Sequence, residues 1–398
     1  MDKGDGGLKL RRIIAGILIA LVLIYIIFYC DSLRFAPVLT SEPVHTAPFN
    51  SYKGAIHIHT VHSDGGGTIE EVAHAAEKIG LDFVIISDHN AGPEVRHFEG
   101  YYGNVLVIIG SEVSAVNGHF LYIPHPDSIF YSVEDVRKRL YHFGDAGIIL
   151  WAHPDLKEHP VTADSSSQLN GIEIVNADRL WRRASLSKLV QAVVLYPFVH
   201  YVLNVFVNYH PEPIQLWRDI LKVSKHQSII LGSVDAHSKI KITKSISWKF
   251  PSYERIFQTV NTTIMSNWQL NKDYKHDARI IYSALKSGAS YIGFESLGKT
   301  TGFSYTILVP DTVLFMGSVI KGNNGKKLCV TAPHSVDIRT YIKTADSTVA
   351  TTSIPSFEFT PQSPGSYYVE VYQLRKSFLR TKTIEVPWII SNAITITK

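Results

Sequence analysis

Cysteine is nearly missing from this chain, with two residues in 398. Cys30 closes an apolar run and Cys329 lies far away in a strand-like stretch, so no disulfide framework staples the fold. Thiolate zinc sites are excluded as well, and any metal must take nitrogen and oxygen ligands. Charge of one sign is scarce. The net charge of +4 is spread without a long basic block, so no nucleic-acid partner is expected. Gly-x-Ser-x-Gly and glycine-rich phosphate loops are both absent, which argues against covalent catalysis by such a serine and against nucleotide binding through such a loop. The 45% hydrophobic and 19% charged composition excludes a disordered chain, and the length suits about two domains. Histidine is what the chain has in excess, with 18 residues. Neutral imidazole is the commonest metal ligand, so their positions matter.

The N-terminus carries one long apolar run, Ile13–Cys30, eighteen residues without a charge. As a helix it extends about 27 Å, near the minimum for a bilayer span. Lys9, Arg11 and Arg12 precede it, which predicts a cytoplasmic tail (1–12), a single anchor (13–30) and an exported remainder. A cleaved signal peptide is the rival. The run is longer than a usual signal core and no small-x-small site follows it, so an uncleaved anchor is expected.

A linker rich in Pro, Ser and Thr (31–52) leads to a strand, Gly54–His59, then a helix with Ile69, Val72, Ala73, Ala76 and Ile79 on one face and Gly80 at its end. Apolar strand-like runs follow at Phe83–Ser87, Val105–Ile109, His119–Ile123, Ile148–Ala152, Ile172–Val175 and Ile229–Val234, with helical patterns such as Val133–Phe143 and Ile214–Ser224 between them. This alternation predicts an α/β region with a largely parallel sheet, open or closed into a barrel, over 53–297. A helix-rich insertion near 179–228 interrupts it. Its apolar part, Leu186–Tyr209, is broken by Lys188, Gln191, Pro197 and Asn204, so it reads as a buried or interfacial segment rather than a second span. It forms either a wall of a cleft or a surface against the membrane. From Gly298 short Val/Ile/Thr/Tyr runs alternate with turns such as Asn323-Asn-Gly325 and Pro364-Gly365, which predicts a small all-β sandwich over 298–398 without a ligand cluster.

Four strands of the α/β region end in imidazole and carboxylate where apolar residues would be expected. His57-Ile-His59 ends the first, with Asp64 after a Ser-Asp-Gly turn; residues two apart on a strand share a face. Ser87-Asp-His89 ends the second, Trp151-Ala-His153 a later one, and Asp235-Ala-His237 the last. Burying so many ionisable groups without ligation is costly, so together they point to a multi-metal site. Glu112 supplies a carboxylate that can bridge two cations. His119 is preferred over its competitor His125 because Asn117-Gly118 suits a turn that aims it inward, while His62 is a spare.

The ordered set His57-x-His59, Asp64, His89, Glu112, His119, His153 and Asp235-x-His237 resembles the PHP (polymerase and histidinol phosphatase) superfamily over about 53–295. The resemblance implies a distorted (β/α)7 barrel, two or three divalent ions (zinc, manganese or iron) held by those nine residues, and phosphoester hydrolysis. Ser-Asp-His-Asn, the insertion, Thr301-Gly-Phe303 and the ending Pro387–Asn392 also resemble the branch of carbaryl (carbamate) hydrolases.

From the chemistry of such a centre, Glu112 and Asp235 are the expected catalytic carboxylates, bridging ions or contacting the attacking water. Glu173 and Asn176 follow a strand and either hydrogen-bond the ligands or are structural. Lys157, Arg179 and Lys239 lie near motif ends and are candidates for a substrate anion. The leading expectation is an anchored phosphoesterase for a small-molecule ester; the alternatives are a carbamate or carboxylic-ester hydrolase with the same centre, and a tethered, non-catalytic binding module.

Overall fold

The structure is a computed structural model, and its described residues are 5–41, 49–140, 144–155, 168–207, 211–224, 227–241, 243, 246–309, 312–322, 325–334, 337–376 and 382–398. The chain is a mixed α/β protein with one long N-terminal helix, Asp5–Ser32. The helical stretch Lys9–Phe35, which continues from it through a short turn, is long and apolar enough to cross a membrane by length and composition, and most of its large apolar side chains are exposed.

The site region begins with β1 (Asn50–Ile58), β2 (Phe83–Ile86), β3 (Gly100–Tyr102) and β4 (Val105–Ile109). The helix Ile69–Lys78 crosses between β1 and β2. Thr68 and Glu71 close a reciprocal capping box at its start, Gly80 takes the left-handed conformation after its end, and Ile69, Val72, Ala73 and Ala76 are buried. β1, β2 and β4 run parallel, as expected for strands joined by crossovers. A second sheet holds β5 (Ser111–Ala115), β6 (Gly118–Pro124), β7 (Gly147–Trp151), β8 (Gly171–Asn176) and β9 (Ile229–Ser233). Here the largely parallel expectation fails in part. β5 and β6 are separated by Val116 and Asn117 alone, and a connection that short forces an antiparallel hairpin. β6–β7 is also antiparallel, whereas β7–β8–β9 is parallel.

The two sheets meet through isolated parallel bridges, His89 with Glu112 and Ile58 with Ala236. At the first junction the Glu112 N–H donates to Ser87 O (3.1 Å) and the Asn90 N–H to Glu112 O (2.8 Å). At the second, the N–H groups of Val234, Ala236 and His59 bond Ile56 O, His57 O and Ala236 O at 3.0–3.1 Å. Four candidate ligands thus sit where the sheets join.

β10 (Ile240–Lys241) and β11 (Ser247–Trp248) form a small hairpin, and β12 (Asn261–Ser266) and β13 (Ser290–Gly293) extend the first sheet antiparallel beyond β1. The C-terminal region is rich in strands, as its texture predicts. Its strand Thr383–Ser391 pairs directly with β13, so one sheet runs on across the expected 297/298 boundary. Asn392 ties this ending to β9: its Oδ1 accepts from Ile230 N (2.8 Å) and its Nδ2 donates to Ile230 O (3.0 Å) and Ser290 O (2.9 Å). The side-chain indole of Trp388 donates to Gly298 O (2.8 Å). The buried Asn392 bonds brace β9, beyond whose end Asp235 and His237 follow.

The helix Tyr274–Ser287 covers the first sheet, and buried Asp277 anchors the loop before it. Its carboxylate accepts from Tyr101 Oη, Asn271 N (3.0 Å) and Lys272 N (2.9 Å) and pairs with His276 Nδ1 (2.8 Å). Burial would raise the Asp277 pKa, but these donors hold it below the usual carboxylate value. A depressed native pKa contributes stability above about pH 4 that is lost as pH falls through the native value. Asp277→Asn is therefore expected to cost about 2 kcal/mol at neutral pH and to flatten the acid limb of stability. Denaturant unfolding over a pH series measures both; an acid limb as steep as in the wild type excludes this role.

Candidate metal centre

The local backbone departs from regular strand where the ligands are needed. His57 takes φ +67° inside β1, where the register with β2 slips between Ile56 and Ile58. A plain pleat would place His57 and His59 on one face; a bulge does the work, leaving the two rings 5.1 Å apart. His153 (φ +32°) and Asp235 (φ +47°) are also left-handed, a costly conformation for residues with a side chain and one that concentrates at functional sites.

The turn that brings in Asp64 is fixed by Asp88, which sequence reading passed over. The Asp88 carboxylate accepts from Thr60 N (2.7 Å), Thr60 Oγ1 (2.6 Å) and Ser63 Oγ (2.5 Å). Gly65 and Gly66 then press on neighbouring backbone: a Cβ would stand 2.2 Å from His59 O at Gly65 and 2.3 Å from Ser238 O at Gly66. Those contacts explain why the turn reads Asp-Gly-Gly.

All nine candidate ligands converge. Glu112 lies at the centre, with Oε1 2.7 Å from His119 Nδ1 and 2.9 Å from His153 Nε2. Its Oε2 is 3.0 Å from His89 Nδ1 and 3.2 Å from both His57 Nε2 and His59 Nε2. Asp235 Oδ1 lies 3.2 Å from His59 Nε2 and 3.6 Å from His57 Nε2 and His237 Nδ1. Asp64 Oδ1 lies 3.3 Å from His237 Nε2, and its Oδ2 is 3.8 Å from His89 Nε2. Among the described residues four overlapping groups have ligand atoms close enough to share an ion: His59-Asp64-His89-His237, His57-His59-Glu112, His57-His153-Asp235 and His89-Glu112-His119.

The donor chemistry fits divalent cations. His57 Nε2, both ring nitrogens of His59 and His153 Nδ1 are buried without a hydrogen-bond partner, although carboxylate oxygens stand beside three of these four nitrogens. Nitrogens and oxygens facing one another without hydrogen-bond alignment suit a shared cation. Electrostatics agree. Burial would lower the His57 and His59 pKa values, but Asp235, Glu112 and, for His57, Glu173 raise them, His59 to about 9. Burial would raise Glu112, Asp235 and Asp64, yet the histidines hold each well below the usual carboxylate range. In His89 burial prevails and its pKa falls.

Glu173 and Asn176, expected to follow a strand, lie within β8 itself, Glu173 in its middle and Asn176 at its last position, and support this cluster from there. Glu173 Oε1 pairs with His57 Nδ1 (2.8 Å), and Oε2 accepts from His153 N (2.9 Å) and Asn176 Nδ2 (3.2 Å). Asn176 Nδ2 also donates to Asp235 Oδ2 (3.1 Å). His125 stands apart, with its ring against Tyr282 (4.7 Å) and Nδ1 3.9 Å from Asp127. His62 is exposed against Phe98.

The anion candidates fare differently. Lys157 lies outside the described residues. Arg179 and Arg183 both pair with Asp155, at 3.2 and 2.9 Å, so Arg179 has a carboxylate partner already. Lys239 donates to Gly65 O (3.1 Å) and lines the cleft beside Asp64, Asp235 and His237. Asp178 and Arg182, an ion pair in the same cleft, escaped sequence reading. Asp178 lies close behind the end of β8, and burial together with Asp235 raises its pKa.

No protein-family model matches the chain, and no curated protein does. Among solved structures, it is similar to a two-domain protein containing a predicted PHP-like metal-dependent phosphoesterase from Bacteroides vulgatus ATCC 8482. The identity is 15% and the TM-score 0.40, covering 88% of this chain and 98% of that one. PsfC from Pseudomonas syringae PB-5123 matches at 14% identity and TM-score 0.36, over 62% of this chain and 94% of its own. A protein assigned as a metal-dependent phosphoesterase, from Bifidobacterium adolescentis ATCC 15703, matches at 15% identity and TM-score 0.29, over 51% and 94%. Likeness at this level leaves the chemistry to the residues themselves.

Proposed function

We propose that this protein is a metal-dependent phosphoesterase of PHP type, acting on a small-molecule ester and anchored by its N-terminal helix with the catalytic region outside the cytoplasm. The observation that carries the reading is the convergence of nine His, Asp and Glu side chains around buried imidazole nitrogens that lack hydrogen-bond partners. The ligands are His57, His59, Asp64, His89, Glu112, His119, His153, Asp235 and His237, holding two or three ions of zinc, manganese or iron. The parallel bridges at both sheet junctions support a distorted (β/α)7 barrel over 53–297. The C-terminal strands, read as a small sandwich over 298–398, support β9 from behind.

Divalent ions supply Lewis acidity there, lowering the pKa of water and polarising a phosphoryl oxygen. The chain's own groups do the rest. Glu112 presents both oxygens to the imidazoles around it, and its depressed pKa keeps it ionised. Asn176 fixes Asp235 through Oδ2, which leaves Oδ1 facing the cluster to take a proton from the attacking water. Glu173 orients His57 and the His153 backbone. Lys239 lines the approach as a cation for the substrate phosphate.

Full-length protein reconstituted with zinc, manganese or iron is expected to hold roughly two or more equivalents and to hydrolyse 4-nitrophenyl phosphate or its diesters. Substoichiometric metal, or turnover confined to aryl carbamates and carboxylic esters, overturns the reading.

A further inference from the structure

The cavity beginning at Asp64, Asp235 and His237 has a volume of about 460 Å³ and becomes apolar as it leaves them. Leu189, Val193, Tyr196 and Phe206 of the insertion form one wall, and Phe250 and Ile256 face them. Its lip mixes exposed apolar and basic side chains: Val193 is 64% exposed and Trp181 and Ile240 stand open to solvent, beside exposed Arg182 and Lys241. A small polar ester has no use for such a wall. An apolar cavity with polar groups at one end suits a ligand built the same way.

The other side of this insertion packs on the N-terminal helix. Gln191 Nε2 donates to Phe28 O (2.8 Å) and Asp31 Oδ2 (3.1 Å), and Asn204 Nδ2 donates to Phe35 O (2.8 Å). The Phe198 ring meets Tyr25 edge-on with centroids 6.1 Å apart, yet Phe198 is 73% exposed. Tyr25 lies a little over one turn inside the apolar run, about 7 Å from its end at Cys30. With that run in a bilayer, Phe198 lies level with hydrocarbon. Exposed Leu186, Val190 and Val194 lie on the same helix as Val193 at the cavity lip.

We propose that the cleft takes a membrane lipid bearing a phosphoester headgroup, with the phosphate at the metal centre and the chain along the insertion wall. This rests on the phosphoesterase reading and adds its substrate class. The reaction is hydrolysis: water oxygen bonds to phosphorus, the phosphorus–oxygen ester bond breaks, and the departing oxygen leaves as an alcohol with water's proton.

The test uses full-length, metal-loaded protein in phosphatidylcholine vesicles and n-alkyl 4-nitrophenyl phosphodiesters from methyl to dodecyl. kcat/KM is expected to rise with each methylene, by up to about fourfold, until the wall is filled. Val193→Glu, a change at an exposed position, is expected to lower the dodecyl-to-methyl ratio by about tenfold or more, because a carboxylate then borders the chain. Partition of the chain into the vesicle is common to both proteins, so their difference reports the wall. A flat series with measurable turnover, or a slope that Val193→Glu leaves intact, overturns the proposal and spares the phosphoesterase reading. Absence of turnover throughout overturns both.

Discussion

Glu112→Gln is expected to lower phosphoester turnover by at least about 10³-fold, some 4 kcal/mol of transition-state stabilisation, and to reduce bound metal. Five imidazoles have a ring nitrogen within 3.2 Å of the Glu112 carboxylate oxygens. The amide keeps the shape and the backbone bonds to Ser87 and Asn90, so the fold survives. It loses the charge and turns an N–H donor toward groups that need an acceptor or a shared cation. Metal analysis, circular dichroism and turnover on one preparation separate the effects. Turnover within about tenfold of wild type, with metal retained, would remove Glu112 from the centre.

The same residue shows how much of the site was legible in sequence. Glu112 and the histidines stand at ends of apolar runs, where an ionisable group is conspicuous, and all nine candidates converge. How they converge was not legible. His-x-His spacing predicts a shared face by simple alternation, whereas the chain bulges at His57 with a left-handed backbone. Such a conformation is over-determined by contacts far along the chain, Ala236 bonding both His57 and His59 and Glu173 pairing with His57. Short-range pattern carries no trace of those partners.

Charges in loops were the least readable. Arg179 and Asp155 lie 24 positions apart and pair at 3.2 Å, which turns a candidate anion receptor into half of an ion pair. Asp178 and Arg182 look in sequence like an ordinary i, i+4 helix pair, and only the fold places them in the cleft. For the fold, the strands of the α/β region and the strand-rich C-terminus were visible in the periodicity. The antiparallel β5–β6 hairpin was readable in principle from its two-residue connection, but the antiparallel β6–β7 pair and the pairing of Thr383–Ser391 with β13 were not, because those partners are chosen by tertiary packing. The insertion was legible as two alternatives, a cleft wall or a surface against the membrane. Leu189 and Tyr196 line the cavity, while Gln191 bonds the N-terminal helix at Phe28, a helix contact that the sequence pattern did not offer.

Chelating the metal is expected to lower the thermal midpoint by about 5–10 °C, and by more as pH rises from about 6.5 to 9. Ions present at about a thousand times their dissociation constant contribute roughly 4 kcal/mol, which in a chain this long moves the midpoint by several degrees. The pH trend follows from the imidazoles. In the chelated protein the His59 pKa, raised to about 9 by Asp235 and Glu112, lies above the unfolded value of about 6.5. A raised native pKa contributes stability that is complete below about pH 6.5 and lost as pH rises through about 9. His57 shifts the same way, for the same carboxylates. In the loaded protein the sign reverses, because ligation needs neutral imidazole and protons compete with the ions. Rising pH therefore weakens the chelated form while strengthening metal binding, and the gap between the two midpoints widens. Differential scanning calorimetry with and without chelator across this range measures it. A gap that stays constant or narrows would mean that the raised imidazoles His57, His59 and His153 are not ligands, since their exchange of proton for metal couples the two curves in this direction.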